Sequence, residues 1–399
     1  MDFRLSDAAA DLRCRLLDFM EEHVYPAEAA YQKEMEASGN PHHHAERLET
    51  LKDEARHRGL WNLFLPRATP WSDGLSNLDY APLAEIMGRS PLGPEACNCS
   101  APDTGNMEIL AKFGTPDQQE RWLRPLLEGT IRSGFAMTEP AVASSDATNI
   151  ECSITPDGAA YIVNGRKWWT TGAASPRCRV LLVMGKTDPS GPKHQQQSIV
   201  LVPIDSPGVR VVRSLPVFGY QHAEGHCEIV LENVRIPKAN LLGAEGAGFT
   251  VAQARLGPGR IHHCMRTLGA AERALELLCV RAHERAPFGR LLAEQGVVQQ
   301  WVADARIRID QARLYTYYAA WLMDTAGTKA AKKVLSGIKV AVPQAALDVL
   351  DKAIQVHGAM GLCDDTPLPW MYASIRGVRI ADGPDEVHRM VIARHELNR

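Results

Sequence analysis

The 399-residue sequence lacks the two features that mark membrane-bound and secreted chains. No stretch approaches the run of about 18 apolar residues that a membrane-spanning helix needs. The first residues, Met-Asp-Phe-Arg-Leu-Ser-Asp, do not show the basic and then apolar pattern of a signal peptide. We therefore expect a soluble cytoplasmic protein with no membrane partner.

Paired cysteines and phosphate-binding glycine loops are also missing. The nine cysteines are scattered, with no C-x-x-C pair, so reduced thiols are expected rather than disulfides. No G-x-G-x-x-G or Walker loop occurs, and strands do not alternate with helices, which argues against a Rossmann nucleotide-binding unit. These absences exclude the commonest nucleotide-binding folds.

The charge balance gives no reason to expect a nucleic-acid partner. The formal net charge is −3, and no long basic tail is present. The sequence therefore favours a small-molecule substrate over DNA or RNA.

The hydrophobic pattern changes twice along the chain and predicts three domains. Residues 1–131 have helical periodicity, residues 132–243 contain short β-rich runs separated by turn residues, and residues 244–399 return to long helical patterns. This order predicts an α+β fold with an N-terminal helical domain, a middle antiparallel β-barrel or sandwich and a C-terminal four-helix bundle.

Three adjacent histidines, His42, His43 and His44, raise the question of a metal site. Adjacent side chains diverge on a regular backbone, and the segment has no evident set of carboxylate or cysteine partners. We expect no metal there.

The stretch from Arg379 to Arg389 contains the strongest candidate for a catalytic group. Asp382 is followed by Gly383 and Pro384, and the proline should open a new helix. A buried carboxylate on such a turn can act as a positioned base, because burial raises its pKa toward neutrality. The simpler alternative is that Asp382 only caps the following helix.

Several segments, taken in order, resemble the acyl-CoA dehydrogenase family over essentially the whole chain. The segments that carry the resemblance are Phe135-Ala-Met-Thr-Glu-Pro140, Asn164-Gly-Arg-Lys-Trp-Trp-Thr-Thr-Gly172, Val234-Arg-Ile-Pro237, Asn240-Leu-Leu-Gly243, Arg285-x-x-Phe288-Gly289 and Gln355-Val-His-Gly-Ala-Met-Gly361. Each motif is weak alone, but their joint order and spacing are specific.

The resemblance implies an FAD cofactor held by residues from two regions. In the β-domain it implies that Thr138 and Thr171 hydrogen-bond the flavin ring, with Thr171 near N5, and that Trp169 covers the ring. Phe135, Met137 and Ser144 match further cofactor positions, and Ser144 also lies near the substrate thioester in the family.

The resemblance also implies that FAD sites are shared between subunits. Arg285 and Phe288 match residues that reach the pyrophosphate and adenine side of a neighbouring subunit's FAD, and an arginine fork suits a pyrophosphate. The other predicted cofactor residues are Gln295, Gln355, Gly358, Ala359, Pro384 and Glu386. Among these, Ala359 and Pro384 replace the family's usual Gly and Thr, and Gln295 is adjacent to the position, Gly296, where a flavin-contacting Gln is common. A homodimer or homotetramer is therefore expected.

Asp382 matches the position where the family usually has its catalytic Glu. The implied reaction moves the α-proton of an acyl-CoA to Asp382 and the β-hydride to flavin N5, giving a trans-2-enoyl-CoA as in fatty-acid β-oxidation. Arg260 matches an arginine near the base and substrate, and Gly383 leaves room for the thioester. Electron-transferring flavoprotein is the implied electron acceptor.

The sequence departs from the family pattern at the base. An Asp reaches about 1.5 Å less far than a Glu. The motif Ala-Asp-Gly-Pro-Asp-Glu-Val-His is similar to a subgroup whose eukaryotic members are fused to an aminoglycoside-phosphotransferase-like kinase domain. Two alternatives stay open: a nitroalkane-oxidase-like flavoenzyme, which also uses an Asp base, and a non-catalytic, flavin-containing relative that binds DNA.

Overall fold

A computed structural model of the chain describes residues 2–398 apart from residues 67, 68 and 70. Within this part of the chain, no helix has both the length and the apolar character that crossing a membrane requires. The described residues form two compact units, each assembled from separate segments. One unit contains residues 1–28, 51–97 and 260–399, and the other contains residues 29–50 and 98–259.

Helices dominate the chain before the first strand. Ser6 caps the first helix by accepting a hydrogen bond from the backbone N–H of Ala9 over 3.2 Å. The helical path continues from the first helix through a π-helical turn, Met20–Val24, into the helix that contains Pro26. The helices are α1 (Asp7–Phe19), α2 (Tyr25–Ser38), α3 (Glu46–His57), α4 (Asn77–Met87), α5 (Gly93–Ala96), α6 (Asp103–Phe113), α7 (Pro116–Gln118) and α8 (Arg124–Leu127).

A seven-stranded sheet follows, within the second unit. Its strands are β1 (Arg132–Ala136), β2 (Ser153–Asp157), β3 (Ala160–Thr171), β4 (Cys178–Lys186), β5 (Gln197–Pro203), β6 (Val209–Ser214) and β7 (His226–Pro237). The spatial order is β1-β4-β2-β3-β7-β6, and β5 pairs with β4. The strands β4 and β5 are almost wholly buried, whereas β6 is an exposed edge strand.

The sheet is mixed rather than wholly antiparallel as the sequence analysis predicted. The strand β1 runs parallel to β4, and β2 meets β4 in one further parallel pair, while all other pairs are antiparallel. The difference arises because the β2–β3 hairpin lies between β1 and β4 in sequence and returns the chain in the same direction. Hydrophobic alternation identifies strands but not their relative directions.

Four long or terminal helices form the C-terminal region. They are α9 (Gly248–Glu284), α10 (Gly296–His357), α11 (Leu368–Val378) and α12 (Asp385–Leu397). Gly327 interrupts α10 with φ of 82° and ψ of 165°, so α10 is two successive helices. The core that these helices share is built mainly from alanine and leucine, including Ala274, Leu278 and Leu350.

One close approach in the first unit requires glycine. A Cβ on Gly269 of α9 would lie 1.9 Å from the backbone oxygen of Glu85 in α4. The helices α4 and α9 can therefore cross only because this position has no side chain.

The predicted fold class is confirmed: helices, a middle sheet and a helical C-terminal region follow one another in that order. The boundaries proposed at residues 131/132 and 243/244 fall directly before β1 and before α9. They stay predictions, because the compact units combine segments from different parts of the chain.

Candidate active site

Asp382 lies on a short turn between α11 and α12 and has a left-handed backbone conformation. Its φ is +55°, and the next residue, Gly383, has φ of +108°. An aspartate tolerates this region better than most residues, but it is still a sparsely populated conformation for any side chain with a Cβ. The N-cap of α12 is Pro384, and no side chain caps that helix. The simpler alternative, in which Asp382 serves only as the helix cap, is therefore not what the structure shows.

Two side chains of α9 approach Asp382. Arg260 donates from Nε to the backbone oxygen of Asp382 over 3.0 Å. His263 Nε2 lies 3.5 Å from Asp382 Oδ2, and the Asp382 side chain is only 15% exposed. Burial lowers the pKa of Arg260, while the charge of Asp382 opposes that shift. The predicted pair of Asp382 and Arg260 is thus brought together in a partly buried site.

A buried lysine that the sequence analysis did not single out holds the same turn. The Lys339 side chain is 1% exposed. Its ammonium donates to the backbone oxygen of Ala381 over 3.0 Å and to that of Val378. Burial lowers the pKa of Lys339, and the nearby carboxylates of Asp382 and Asp385 oppose the shift. The signal in the sequence was a lone lysine within an apolar helical face, which periodicity alone does not distinguish from a solvated charge.

The residues after Asp382 separate into buried and exposed groups. Asp385 is buried and accepts from Arg379 Nε over 2.8 Å. Glu386, a predicted cofactor residue, is exposed. His388 is buried, and neither of its ring nitrogens has a hydrogen-bond partner of good geometry. A Cβ on Gly383 would lie 3.0 Å from His388 Nε2, so the glycine permits the close passage of the turn over this imidazole.

The predicted flavin-ring residues of the β-domain lie along β1, the segment after it and β3. Phe135 is on β1, and the guanidinium of Arg255 stacks 4.2 Å from the centre of its ring. The backbone oxygen of Met137 accepts from Lys167 Nζ over 2.9 Å, and that of Thr138 accepts from the N–H of Trp168 over 3.0 Å. These bonds tie the Thr-Glu-Pro segment to the tryptophan strand.

A bulge in β3 presents Trp169 at the surface. The pairing of β3 with β7 shifts register between Lys167 and Thr170, and Trp169 has φ of +54°. The side chain of Trp169 is 42% exposed although it is a large aromatic. An exposed aromatic ring in a strained strand conformation is typical of a functional position.

Thr171 is hydrogen-bonded to a histidine on the neighbouring strand. Thr171 Oγ1 and His226 Nδ1 are 2.8 Å apart, and the ring of Trp169 lies 5.6 Å from that of His226. Burial, together with the nearby His222, lowers the pKa of His226 to about 3. His226 is therefore neutral at physiological pH. His226 was not predicted from the sequence, because the periodicity of one strand does not indicate which residue of the neighbouring strand lies opposite.

Ser144 is placed differently from the other predicted residues. Its hydroxyl accepts from the N–H of Glu139 over 2.9 Å and donates to the oxygen of the same residue over 3.1 Å. The hydroxyl therefore shapes its own loop in this structure, and Ser144 as a ligand-binding residue stays a prediction.

Three of the predicted nucleotide-side residues line one cavity of the first unit. This cavity has a volume of about 450 Å³, and its walls include Arg285, Gln355 and Gly358. Ala359 follows in an exposed 3₁₀ turn, and Gln295 is the N-cap residue of α10. The cavity is of the size that small-molecule ligands occupy.

Phe288 stands beside this region in an unusual state. Its φ is +55°, and its side chain is fully exposed at 108% of the reference area. A ligand or another chain that covered this ring would remove its apolar surface from water, which is favourable.

The histidines at positions 42–44 do not converge. His42 Nδ1 is 3.0 Å from the backbone oxygen of Ala223, His43 lies near Glu34, and His44 Nε2 is 2.9 Å from Glu49. In the part of the chain that the structure describes, no three His, Cys, Asp or Glu side chains are grouped so that they could hold a metal ion.

Comparison with known proteins places the whole chain in one family. Family models match residues 6–130, 134–234 and 246–397, and they describe the N-terminal, middle and C-terminal domains of acyl-CoA dehydrogenase.

Three relatives show how far the similarity extends. A Mycobacterium tuberculosis protein named probable acyl-CoA dehydrogenase FadE2 is 61% identical over 100% of this chain and 98% of its own length. The mouse acyl-CoA dehydrogenase family member 10 is 51% identical over 98% of this chain, which spans 37% of that longer protein. The structure of a Mycobacterium abscessus protein assigned to the acyl-CoA dehydrogenases is 47% identical, with a TM-score of 0.96 over 99% of both chains. The chain belongs to the acyl-CoA dehydrogenase family of oxidoreductases.

Proposed function

We propose that this protein is an FAD-dependent acyl-CoA dehydrogenase that converts an acyl-CoA thioester to a trans-2-enoyl-CoA, with Asp382 as the base. The observation that carries this proposal is the position of Asp382. Its carboxylate is largely buried, its backbone has a left-handed conformation, and its backbone oxygen accepts a hydrogen bond from Arg260. A carboxylate fixed in this way is suited to remove a proton from a bound thioester.

Asp382 removes the α-proton of the substrate in this proposal. That proton is weakly acidic, so the negative charge that develops on the thioester oxygen needs hydrogen-bond donors. The family resemblance assigns the backbone N–H of Asp382 to this task. Gly383 keeps the turn free of a side chain beside the thioester, and Arg260 holds the turn in place. When bound, FAD supplies the acceptor for the β-hydride.

The residues present fit FAD on observations of this structure. Trp169 offers an exposed aromatic face, and Thr171 carries a hydroxyl oriented by His226. Thr138, Met137 and Phe135 lie on the connected segment of the same unit. We propose that these residues hold the flavin ring.

We propose that the cavity of the first unit holds the nucleotide end of a neighbouring subunit's FAD. Arg285 at the cavity wall has the planar donor fork that pyrophosphate oxygens require, and Gly358 leaves the backbone accessible. Further proposed contacts at this end or near the base turn are Phe288, Gln295, Gln355, Ala359, Pro384 and Glu386.

The exposure of Phe288 supports sharing of the FAD sites between subunits. A second copy of the chain, together with its cofactor, would cover this ring, which water otherwise surrounds. We infer a homodimer or homotetramer, with electron-transferring flavoprotein as the electron acceptor.

An anaerobic titration tests the proposed reaction. The purified, FAD-loaded protein is mixed with short, medium, long, branched and hydroxylated acyl-CoAs while the visible absorbance of oxidised flavin is followed. Bleaching by an acyl-CoA without oxygen is the expected result. Oxygen consumption with a nitroalkane and no bleaching by any acyl-CoA would favour the nitroalkane-oxidase-like alternative. Retention of DNA at physiological salt, with neither reaction, would favour the binding relative.

A further inference from the structure

We propose that Lys339 is a positioning residue for the reaction: it holds the turn that carries Asp382 in its active conformation. This inference rests on the proposed function, because it assumes that Asp382 is the base. Lys339 acts through the backbone of the turn and not through the substrate.

The two hydrogen bonds that the Lys339 ammonium makes among the described residues go to the segment that leads into Asp382, and Cys264 of α9 also interacts with it electrostatically. The ammonium donates to the backbone oxygens of Val378 and Ala381. Val378 is the last residue of α11, where helical carbonyls have no partner within the helix and carry the negative end of the helix dipole. A buried cation at this place satisfies one of these carbonyls, that of Val378, together with the turn carbonyl of Ala381, and it complements the dipole.

Because Lys339 is buried, its ammonium depends on these hydrogen bonds. Its side chain is 1% exposed, and it lies on α10 next to the fully buried Ile338. A buried ammonium is tolerated only when hydrogen bonds and opposite charge replace water. Because the carboxylates of Asp382 and Asp385 favour its charged form, the lysine and the turn stabilise each other.

The turn needs such support because its own backbone is strained. Asp382 at φ of +55° occupies a conformation that is sparsely populated for a residue with a side chain, whereas Gly383 at φ of +108° adopts one that glycine reaches readily. Within the turn, the amides of Ile380 and Ala381 share one acceptor, the oxygen of Gly377. Three carbonyls of one short segment, those of Val378, Ala381 and Asp382, are held from outside by Lys339 and Arg260.

A lysine meets this requirement better than a neutral side chain. Its ammonium carries three N–H donors that spread in different directions, so it can serve two carbonyls at once. Methionine has a similar length and no donor. Glutamine keeps two donors on one nitrogen but has no charge, so we expect it to replace part of the function.

The chain offers a matched control for burial of a lysine. The Lys52 side chain is also 1% exposed and lies in the same unit, but its ammonium pairs with Glu95 at 2.7 Å. Lys52→Met removes a buried ammonium without touching the segment 378–382. It should lower stability without slowing the reaction.

The test compares Lys339→Met, Lys339→Gln, Lys52→Met and Asp382→Asn with the wild type, each loaded with FAD. Rapid anaerobic mixing with the acyl-CoA that bleaches the wild type gives the flavin reduction rate and the substrate Kd. We expect Lys339→Met to reduce flavin about 10²-fold more slowly, because a displacement of about 1 Å is sufficient for such a loss. The substrate Kd of Lys339→Met should stay within about threefold of the wild-type value. The flavin reduction rate of Lys339→Gln should lie between the rates of Lys339→Met and the wild type.

Hydrogen exchange of the substrate-free proteins gives a readout that does not depend on activity. In Lys339→Met the backbone amides of residues 380–383 and 385 should exchange faster. The exchange rates of the amides in strands β3 and β7 should not change. If Lys339→Met does not fold, Lys339→Gln is compared with Lys52→Met in its place.

Reduction by both Lys339 variants within about twofold of Lys52→Met, or unchanged exchange at residues 380–385, would overturn the inference. A higher substrate Kd with an unchanged flavin reduction rate would overturn it as well. If Asp382→Asn still reduces flavin at the wild-type rate, the proposed function fails instead, and the two failures are thereby distinguished.

Discussion

Arg260 donates a hydrogen bond from Nε to the backbone oxygen of Asp382 over 3.0 Å, and so joins the middle of α9 to the turn before α12. The guanidinium contacts the backbone of the proposed base, and the carboxylate of that residue lies 3.5 Å from His263 Nε2. The position of the base therefore depends on a residue more than 100 positions earlier in the chain.

Replacing Arg260 should slow the chemical step. Arg260→Met removes the donor to Asp382, and we expect flavin reduction to fall by about 10- to 10²-fold through misplacement of the base. Arg260→Lys should recover part of the rate, because an ammonium can still donate to the carbonyl. The rates are measured by rapid anaerobic mixing. Arg273→Met, which breaks the pair with Glu28 further along the same helix, serves as the control and should change stability alone.

The Thr171–His226 hydrogen bond predicts a non-additive pair of substitutions. Thr171→Val removes the hydroxyl proposed to meet the flavin, and His226→Leu removes the group that orients it over 2.8 Å. We expect each single variant to shift the reduction potential of the bound flavin in the same direction, with the double variant no further displaced than Thr171→Val. Potentials are measured by spectroelectrochemical titration. Additive shifts would show that His226 does not act through Thr171.

The cavity around Arg285 predicts where the cofactor is held. Arg285→Ala removes the proposed donor fork for the pyrophosphate, and we expect FAD affinity to fall by about 10- to 10²-fold, which corresponds to about 1.5–3 kcal/mol for hydrogen bonds between charged groups. FAD content after gel filtration and the Kd from fluorescence titration measure this. The control is Arg308→Ala, since Arg308 pairs with Asp348 elsewhere on α10. Equal FAD affinity of the two variants would remove Arg285 from the site.

Glu108 predicts a pH dependence of stability in the second unit. Burial raises the pKa of its carboxyl to about 8, and neither oxygen has a hydrogen-bond partner among the described residues. A raised folded-state pKa means that the contribution of this group is fully favourable below the unfolded value of 4.5 and is lost as the pH rises to about 8.

Glu108→Gln removes this ionisation, so its advantage in unfolding free energy over the wild type should grow between pH 5 and pH 8. The expected slope is at most about 1.4 kcal/mol per pH unit. Urea unfolding at several pH values measures the difference. A difference that does not depend on pH would contradict the raised pKa.

The sequence predicted the order of helical, β and helical regions because each depends on local periodicity and turn chemistry. It did not predict the parallel pairing of β1 with β4, because both strands are buried and their pattern is the same for either direction. The π-helical turn at Met20–Val24 was also not predicted, because such a turn has no sequence signature that periodicity detects.

The candidate site was predicted only in part. The Asp-Gly-Pro turn and the neighbouring helix start were visible from residue types alone, and the resemblance supplied Arg260 and the cofactor residues. Lys339, His226 and Glu108 were not found, because their burial and surroundings depend on residues distant in the sequence. A lysine on an apolar helix face and a histidine on a strand have common structural explanations that only the folded contacts decide between.

The proposed mechanism depends on the carboxylate of Asp382. With Asp382→Asn, the carboxylate is replaced by an amide of nearly the same size that does not accept the α-proton. Asp205→Asn, an exposed loop substitution, is the control.

The most direct measurement is the rate of anaerobic flavin reduction in Asp382→Asn with an acyl-CoA that bleaches the wild type. We expect the variant to bind FAD and to fold as the wild type does. Its rate of flavin reduction should fall by about 10²- to 10⁴-fold, which is the usual contribution of a general base. A rate within a few-fold of the wild type would contradict the assignment of Asp382 as the base, and with it the proposed mechanism.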